Sequence, residues 1–529
     1  MKKRLINKIS LIQPIIKVGK ALRIQKSPTG IQCISAYLKQ HKFNTRMFHE
    51  EESEKLYKDI ISYSPDMVGL SAFTVNFPAA LRIAGNIKKY LPDVPIVLGG
   101  WHASGVAESY LRRYEEWSLR EILNQESPFD FIVIGEGEEP IVKLINTLNE
   151  SSPNIENALK NIDGIGYLSK NNHIVVNRGG RINDLNELPD PDWEGLDINK
   201  YRDQRNTSMI DLSVHVQRGC RFSCTFCQTP SLYQNSVKRM SPERVVSYLE
   251  YLISKFQPSA ITFTDEDFMS NPTWIKEVCA LMIERGVNKN IAYGSFGSLN
   301  DIIKFEKHGA LELLSKAGWK NYFVGIDSLE PDTLKKYDRP ISMLEKENIP
   351  AYLEKIQNAI NISRKRNLLL FGDFIIGYFE ESPQQLEVGF DNILKLRNML
   401  YTYLPIFTPF PGTPLWEIAV KKDKLIKRDG KIDWSLFDCS HQVCELPYNA
   451  VKLRDTFEKK YFTSQNYFTD MITHIKNEPD YLNDWYLPLF YKLKNDHKTT
   501  LAFNRIIQGL EKLNDYKNNK VTAECISHF

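Results

Sequence analysis

Three of the eight cysteines lie within eight residues, directly after a short apolar segment that predicts a β-strand. Cys220, Cys224 and Cys227 have the spacing C-x3-C-x2-C. A [4Fe–4S] cluster usually takes four thiolates, so three close cysteines hold three irons and leave one iron open to the amino and carboxylate groups of a small molecule. Gly219 precedes the first cysteine, and glycine allows the backbone a tight turn. The spacing therefore favours a cluster-binding loop at the end of a strand.

Two other uses of these cysteines are open. Zinc prefers two C-x2-C pairs or a mixed cysteine and histidine set, and the sequence has no second pair or His-x3-His spacing near residues 220–227. Three unrelated core cysteines are the other alternative. The remaining cysteines are expected to be buried small side chains or surface thiols, and they stand at positions 33, 279, 439, 444 and 525.

Length and charge exclude several classes of protein. A chain of 529 residues predicts three or four domains. Its 68 basic and 65 acidic residues give a net charge of +3 without a long basic block, so charge does not indicate a nucleic-acid partner. No apolar run reaches the roughly 18 residues of a membrane span. The basic and apolar start is interrupted by Gln13, Pro14 and Lys17, which predicts a first strand rather than a signal peptide. A reduced, cytoplasmic protein is expected.

Residues 1–150 alternate between apolar strands and helical segments. The predicted strands are Lys8–Pro14, Met67–Ala72, Ile96–Gly100 and Phe131–Gly137. This alternation predicts a parallel, doubly wound, Rossmann-like α/β sheet. Residues 151–205 predict a hairpin over Gly164–Arg178 and then a linker.

Residues 206–420 repeat the alternation six times. The predicted strands are Ser213–Gly219, Ala260–Phe268, Ile291–Ser298, Asn321–Ser328, Leu369–Gly377 and Thr402–Phe410. Ser241, Asn271 and Ser382 each precede a proline, which is typical of a helix start. Six strand–helix units predict a partial (β/α)6 barrel of TIM type, with its chemistry at the carboxyl ends of the strands. Residues 421–529 are expected to form a mainly helical region.

The cysteine spacing after the first of six barrel strands, with Phe226 before the third cysteine, resembles the radical S-adenosylmethionine (SAM) superfamily. This resemblance implies a [4Fe–4S] cluster on the three cysteines, with SAM on the open iron. It also implies reductive cleavage of SAM to a 5′-deoxyadenosyl radical, with electrons from a flavodoxin- or ferredoxin-type donor. Phe226 is expected beside the cofactors.

Further segments resemble the family's SAM-binding motifs. ITFTDEDF (261–268) is similar to the second-strand motif and implies that Asp265 and Glu266 hold the amine of SAM. The alternative is an acidic cluster at a helix N-terminus. VGIDSLE (324–330) resembles the Gly-Ile-Glu-Ser stretch, with Asp327 in place of the usual Glu before Ser328. FIIGYFEES (374–382) resembles the family's segment beside adenine and implies contacts from Gly377 and Glu380. FTPFPGTPLWE (407–417) is similar to the family's sequence after the sixth strand.

Residues 1–150 look like the cobalamin-binding domain of class B radical SAM enzymes. The resemblance rests on three strand-end segments, VGLSAFT (68–74), VLGGWH (97–102) and IVIGEGEEP (132–140). The implied cofactor-binding residues are Ser71, Thr74, Gly99, Gly100, Trp101, His102, Gly135, Glu136 and Gly137. A generic doubly wound sheet would show a similar glycine pair. Trp101 is expected to wall a pocket.

The Asp-x-His-x-x-Gly segment that supplies a lower cobalt ligand in other cobalamin proteins is absent from this sequence. No histidine is therefore expected on cobalt from the loop after the first strand. His102 is expected to be a loop histidine bonded to backbone.

These resemblances imply a methyltransferase that acts on an unactivated carbon, or on phosphorus, through a 5′-deoxyadenosyl radical and methylcobalamin. The alternative is a radical cyclase or rearranging enzyme without methyl transfer. A third hypothesis is a cobalamin- or redox-sensing binding protein with an inert cluster. The substrate is expected to be a small molecule. The aromatic segment at 479–493 either covers a large apolar substrate or packs as a helix on the barrel.

Overall fold

The computed structural model describes residues 5–15, 26–150, 154–203, 206–337, 348–399, 401–462, 464–467 and 469–470. Within these ranges, every helix is too short or too polar to cross a bilayer.

The first part of the chain forms one seven-stranded sheet with the spatial order β2-β1-β3-β4-β5-β6-β7. Its strands are β1 (Lys8–Ile12), β2 (Asn44–Phe48), β3 (Met67–Ser71), β4 (Ile96–Gly99), β5 (Phe131–Val133), β6 (Ile165–Leu168) and β7 (Ile174–Val176). The first five strands are parallel, as predicted, and the predicted hairpin adds β6 and β7 antiparallel to the edge. We call this the front sheet.

Helices cover both faces of the front sheet. They are Thr29–Gln40, Glu54–Tyr63, Phe77–Tyr90, Trp101–Leu111, Trp117–Ile122, Glu138–Asn149 and Ile155–Lys160. Apolar side chains at helical spacing decide which face of each helix is buried. In Phe77–Tyr90, for example, Ile83, Ala84 and Ile87 lie in the core.

The second sheet contains the six predicted parallel strands in the order β9-β12-β13-β14-β15-β16, with a short antiparallel strand, β8, on the edge of β9. The strands after β7 are β8 (Arg202–Asp203), β9 (Asn206–Val214), β10 (Gln217–Arg218), β11 (Lys238–Arg239), β12 (Ala260–Phe263), β13 (Ala292–Gly297), β14 (Trp319–Asp327), β15 (Leu369–Phe374), β16 (Tyr401–Tyr403), β17 (Lys427–Arg428) and β18 (Lys431–Ile432). The partial barrel is confirmed.

Three barrel helices begin where the sequence predicts, after Ser241, Asn271 and Ser382. The helices of the barrel and of the chain that follows it are Thr229–Tyr233, Pro242–Phe256, Pro272–Glu284, Leu299–Lys307, Ala310–Lys316, Pro331–Tyr337, Ile349–Lys365, Pro383–Ile393, Pro414–Lys421 and Ala450–Phe462. The side chains of Ser241, Asn271 and Ser382 each accept a hydrogen bond from a backbone amide of the first turn. These caps satisfy amides that would otherwise lack a partner, which fixes where each helix starts.

Side chains alternate across the barrel sheet, so neighbouring residues of a strand face opposite sides. Tyr322 points outward, since its hydroxyl contacts Ser363 on the helix Ile349–Lys365. Phe323 therefore faces the barrel interior. It is paired in register with Phe296 on one side and Phe371 on the other. The interior is thus lined by an aromatic row, in which Phe296 is 40% exposed.

The chain beyond the sixth barrel strand returns to the front sheet. Trp416 and Trp434 are buried, stack 5.8 Å apart, and donate their indole N–H groups to Glu115 and Glu121, respectively. These contacts fix the front sheet against the barrel. The described part of the region predicted to be mainly helical contains the β17–β18 hairpin as well as the helix Ala450–Phe462. The segment at 479–493 lies outside the described residues.

Candidate cofactor site between the two sheets

The three cysteines lie on one loop between β10 and the helix Thr229–Tyr233. Cys224 is buried, whereas Cys220 and Cys227 are partly exposed. The Cys227 amide donates to the Cys224 carbonyl over 3.1 Å, which tightens the loop. We call residues 219–227 the cluster loop.

Gly219 is required at the start of the cluster loop for two reasons. Its φ of +93° lies in the region that side chains rarely adopt, and a Cβ atom there would lie 2.0 Å from the Ser236 carbonyl oxygen. The start of the loop therefore touches the backbone at Ser236, which follows the helix Thr229–Tyr233.

The cysteines fit an iron–sulfur cluster better than a single ion. In the described part of the chain, no three His, Cys, Asp or Glu side chains are grouped as ligands of one metal ion. A cluster does not need such a group, because each thiolate binds a different iron. Three sulfur donors on one loop, two of them open to solvent, match that requirement.

Three consecutive acidic residues after β12 hold the backbone that leads into the cluster loop. The buried Asp265 accepts hydrogen bonds from the Val216 amide over 2.8 Å and from the Gln217 amide. Glu266 lies 3.3 Å from both the Gly219 amide and His215 Nε2. The sequence did not predict this structural role for the two residues implied to bind the amine of SAM.

Asp267 continues the pattern, because it accepts from the Arg221 amide over 3.3 Å and pairs with the Arg221 side chain. Of the three acids, Glu266 has partial exposure, with 13% of its side chain accessible. Burial raises the pKa of Asp265 and of Asp267 to about 6. Burial also acts to raise the pKa of Glu266, but His215 and backbone hydrogen bonds together outweigh it and lower that pKa. Glu266 is thus the acid best placed to meet a cationic amine.

The other residues implied to bind SAM lie at the carboxyl ends of β14 and β15. Asp327 is buried and has a φ of +68°, an uncommon conformation for a residue with a side chain and one that is often found at functional sites. Ser328 follows it and accepts from the Glu330 amide over 3.1 Å. Gly377 has a φ of +81° and donates its amide to Glu381 over 2.9 Å.

Glu380 does not face this strand end. It is exposed and pairs with Lys422 and Lys336. Its neighbour Glu381 is 3% exposed and points inward, toward Gly377 and Thr333. The sequence motif alone did not distinguish these two adjacent glutamates.

The front sheet presents its own carboxyl edge beside the cluster loop. Gly100 has a φ of +91°, and a Cβ atom there would lie 2.7 Å from the Ala72 carbonyl oxygen and 2.9 Å from Ser71 Oγ. Gly99 and Gly100 therefore bring the ends of β3 and β4 into close contact. Trp101 is partly exposed and meets Tyr233, which follows the cluster loop, edge to face at 6.3 Å.

His102 lies in the core rather than in an open pocket. It is in the first turn of the helix Trp101–Leu111, is fully buried, and stacks on Phe77 with ring centres 4.1 Å apart. Its Nδ1 lies 3.4 Å from the hydroxyl of Thr74, which is also buried, and its backbone amide donates to Ala72. Burial lowers the pKa of His102 to about 3, so the ring is neutral. The sequence placed this residue in a loop, and the structure places it in a helix.

The predicted cofactor-binding residues of the third segment, Gly135, Glu136 and Gly137, join the front sheet to the barrel. Gly135 has a φ of +72° and donates its amide to Ser104, and Gly137 packs against Ile34. Glu136 is 6% exposed and pairs with Arg181 and Arg218. Arg218 lies two residues before Cys220. Neither arginine was among the sequence predictions, because their partners are distant in the chain.

A second contact between the sheets involves two glycines. The Cβ position of Gly412 lies 2.8 Å from the Gly105 carbonyl oxygen, so the two backbones touch. The Gly412 amide donates to Ser109 over 2.7 Å, and Gln228, next to Cys227, donates to the Pro411 carbonyl over 2.8 Å. The carboxyl edge of the front sheet is thereby held beside the cluster loop.

Two family models match the chain, the Radical SAM superfamily over residues 214–390 and the B12 binding domain over residues 23–145. These matches coincide with the barrel and the front sheet. The protein belongs to the cobalamin-binding members of the radical SAM superfamily. Its cofactors are a [4Fe–4S] cluster, SAM and cobalamin.

Three similar proteins illustrate the family. The chain is 27% identical over 372 residues to the uncharacterized methyltransferase PH0819 of Pyrococcus horikoshii, covering 70% of this chain and 72% of that protein. It is 24% identical over 364 residues to the anaerobic magnesium-protoporphyrin IX monomethyl ester cyclase of Cereibacter sphaeroides, covering 69% of this chain and 55% of the cyclase. The structure of the radical SAM methyltransferase TsrM from Kitasatospora setae, with cobalamin and a [4Fe–4S] cluster bound, matches with a TM-score of 0.60 at 16% identity over 80% of each chain.

Proposed function

We propose that this protein is a cobalamin-dependent radical SAM methyltransferase that acts on an unactivated carbon, or on phosphorus, of a small molecule. The observation that carries the proposal is the bonding that ties the two residues flanking the cluster loop to the carboxyl edge of the front sheet. Glu136 lies 2.9 Å from Arg218, and Gln228 binds the loop that rests on Gly105. Two cofactor sites on one interface allow a substrate between them to meet both cofactors.

The chain's own residues would divide the work as follows. Cys220, Cys224 and Cys227 hold three irons, and Glu266 holds the amine of SAM. Asp327 and Gly377 lie at strand ends where the ribose and adenine would bind. When bound, the reduced cluster supplies an electron to SAM, and cobalamin carries a methyl group. The barrel orients the substrate and excludes water.

The barrel interior supports a substrate with apolar surface. Phe296, Phe323 and Phe371 form a continuous row, with ring centres 5.5 and 4.9 Å apart. Phe296 is 40% exposed, so the row is open at one end. Aromatic side chains that remain accessible inside a barrel favour contacts with an apolar group of a ligand.

Product analysis tests the proposal. Anaerobically reconstituted enzyme, reduced with dithionite and supplied with hydroxocobalamin, SAM and a candidate substrate, should release S-adenosylhomocysteine together with 5′-deoxyadenosine. A radical enzyme without methyl transfer releases 5′-deoxyadenosine alone. That outcome would favour a cyclase or rearranging enzyme, which the similarity to the cyclase of Cereibacter sphaeroides supports as the second candidate. Release of neither product would contradict both. In the cell, we propose a flavodoxin- or ferredoxin-type electron donor.

The ligand assignment has its own test. Cys224→Ala should prevent assembly of a four-iron cluster and abolish both products. Cys279→Ala is the matched control, since Cys279 is fully buried in the helix Pro272–Glu284, away from the cluster loop. Full iron content in Cys224→Ala would refute the assignment.

A further inference from the structure

Glu136 connects the front sheet to the cluster loop through both of its carboxylate oxygens. Oε2 accepts from Arg181 Nε over 2.6 Å and from the Ile182 amide over 3.0 Å. Oε1 accepts from Arg218 Nη1 over 2.9 Å, and Glu138 binds the other arm of Arg218 over 2.5 Å. These side chains are at most 13% exposed. Buried, charge-assisted hydrogen bonds of this kind have a defined geometry.

Arg181 closes the base of the cluster loop. One arm of its guanidinium donates to the Ser236 carbonyl over 3.0 Å and to the Tyr233 carbonyl, both of which follow Cys227. The other arm donates to the Arg218 carbonyl, before Cys220, over 3.4 Å. A single side chain thus holds the backbone on both sides of the three cysteines, and Glu136 holds that side chain.

The loop that carries Glu136 also faces the ligand-binding edge of the front sheet. Residues 134–137 follow β5, and doubly wound sheets bind ligands at the carboxyl ends of their strands. Gly135 and Gly137 flank Glu136 and are closely packed, because a Cβ atom on Gly137 would lie 3.1 Å from Ile34 and one on Gly135 would lie 3.5 Å from the Leu232 carbonyl oxygen. Any movement of this loop on cofactor binding would be transmitted to Arg181 and Arg218, because both guanidiniums are fixed to the same carboxylate.

We propose that Glu136 is a positioning residue that couples cobalamin binding at the front sheet to SAM binding at the cluster. The two ligands then bind cooperatively, each strengthening the binding of the other by the same factor. This proposal rests on the cofactors of the proposed function, but it does not depend on methyl transfer. It also assigns Glu136 to the protein's internal contacts rather than to the cofactor itself.

Binding measurements on the full chain test the coupling. The dissociation constant of SAM for the reconstituted, unreduced [4Fe–4S] protein is measured anaerobically with and without hydroxocobalamin, by equilibrium dialysis of radiolabelled SAM. In the unaltered protein, cobalamin should tighten SAM binding by at least about fivefold, the lower end of typical allosteric coupling. Glu136→Gln keeps the shape of the side chain but removes its charge, and should reduce this factor to below about twofold.

Glu139→Gln is the matched control, because Glu139 is exposed and pairs with Lys143 on its own helix. It should retain the full coupling. Should Glu136→Gln fail to assemble four irons, Glu138→Gln removes one contact to Arg218 while leaving Glu136 with Arg181, and a partial loss of coupling is expected. Full coupling in Glu136→Gln or in Glu138→Gln overturns the proposal, and so does the absence of coupling from the unaltered protein. Loss of S-adenosylhomocysteine formation with intact coupling would instead contradict methyl transfer alone.

Discussion

The buried Glu381 should make the stability of the barrel fall as pH rises. Its carboxylate accepts from the Gly377 amide over 2.9 Å, and the Thr333 hydroxyl lies 3.0 Å from it. The same hydroxyl lies 2.8 Å from the buried Glu330. A hydroxyl has one proton to donate, so a proton on Glu381 satisfies the second contact. Burial raises the pKa of Glu381 to about 7, and the nearby charge of Glu330 adds to the effect.

The sign and size of the effect follow from this pKa. In the unfolded chain Glu381 should titrate near its ordinary value of 4.5, so the folded state holds a proton that the unfolded state has lost between these two values. The stabilisation is complete below pH 4.5 and is lost as pH rises through about 7. With about 1.4 kcal/mol for each pKa unit, the loss between pH 5.5 and 8.5 is about 2 kcal/mol.

Urea unfolding across that pH range provides the assay, with Glu381→Gln as the test variant. Glutamine keeps the acceptor for Gly377 and remains neutral, so the variant should gain about 2 kcal/mol relative to the unaltered protein between pH 5.5 and 8.5. Glu387→Gln, an exposed substitution on the following helix, should show no such change. A difference between Glu381→Gln and the unaltered protein that stays constant across the pH range would refute the reasoning.

Three further substitutions test the interface and the front sheet. Gly412→Ala introduces a Cβ atom 2.8 Å from the Gly105 carbonyl oxygen at a φ of +85°, and should speed hydrogen exchange in the helix Trp101–Leu111. Gly430→Ala is the control for backbone strain without a steric clash, because Gly430 has a φ of +76° and open space around it. Lys26→Met removes the cation 2.7 Å from the buried Asp211 and should cost on the order of 1–3 kcal/mol in thermal unfolding, part of which Asp211→Asn should restore. His102→Phe should leave the electron paramagnetic resonance spectrum of bound cob(II)alamin unchanged, since His102 is buried against Phe77; loss of a nitrogen splitting in the variant would show that His102 binds cobalt.

The sequence predicted the two sheets because their signals are local. Apolar runs at strand spacing and capping residues before proline act within a few positions. Ser241, Asn271 and Ser382 could therefore be assigned as helix N-caps from the sequence alone. β2 was missed, because its sequence NTRMF is polar at the exposed edge of the sheet. The sequence therefore predicts elements well where burial and periodicity coincide.

The partners of the acidic residues could not be predicted in the same way. Glu136 and Arg218 are 82 positions apart, and Arg181 lies in the linker outside any motif. Asp265 stands in a family motif, yet one of its carboxylate oxygens, Oδ1, accepts hydrogen bonds from the backbone amides at 216 and 217. A motif identifies which residues matter near a cofactor, but the partner of each side chain depends on the packing of the whole fold.

The cluster loop takes its shape from both sheets. Asp265, Glu266 and Asp267 hold the backbone of residues 216–221 from the barrel side. Glu136 holds Arg181 and Arg218 from the front sheet. A barrel separated from the front sheet would keep the three cysteines but lose the carboxylate that fixes both arginines. The guanidiniums would then be exposed to solvent without the carboxylate that fixes their orientation. The front sheet and the barrel therefore form a single structural unit around the cluster loop.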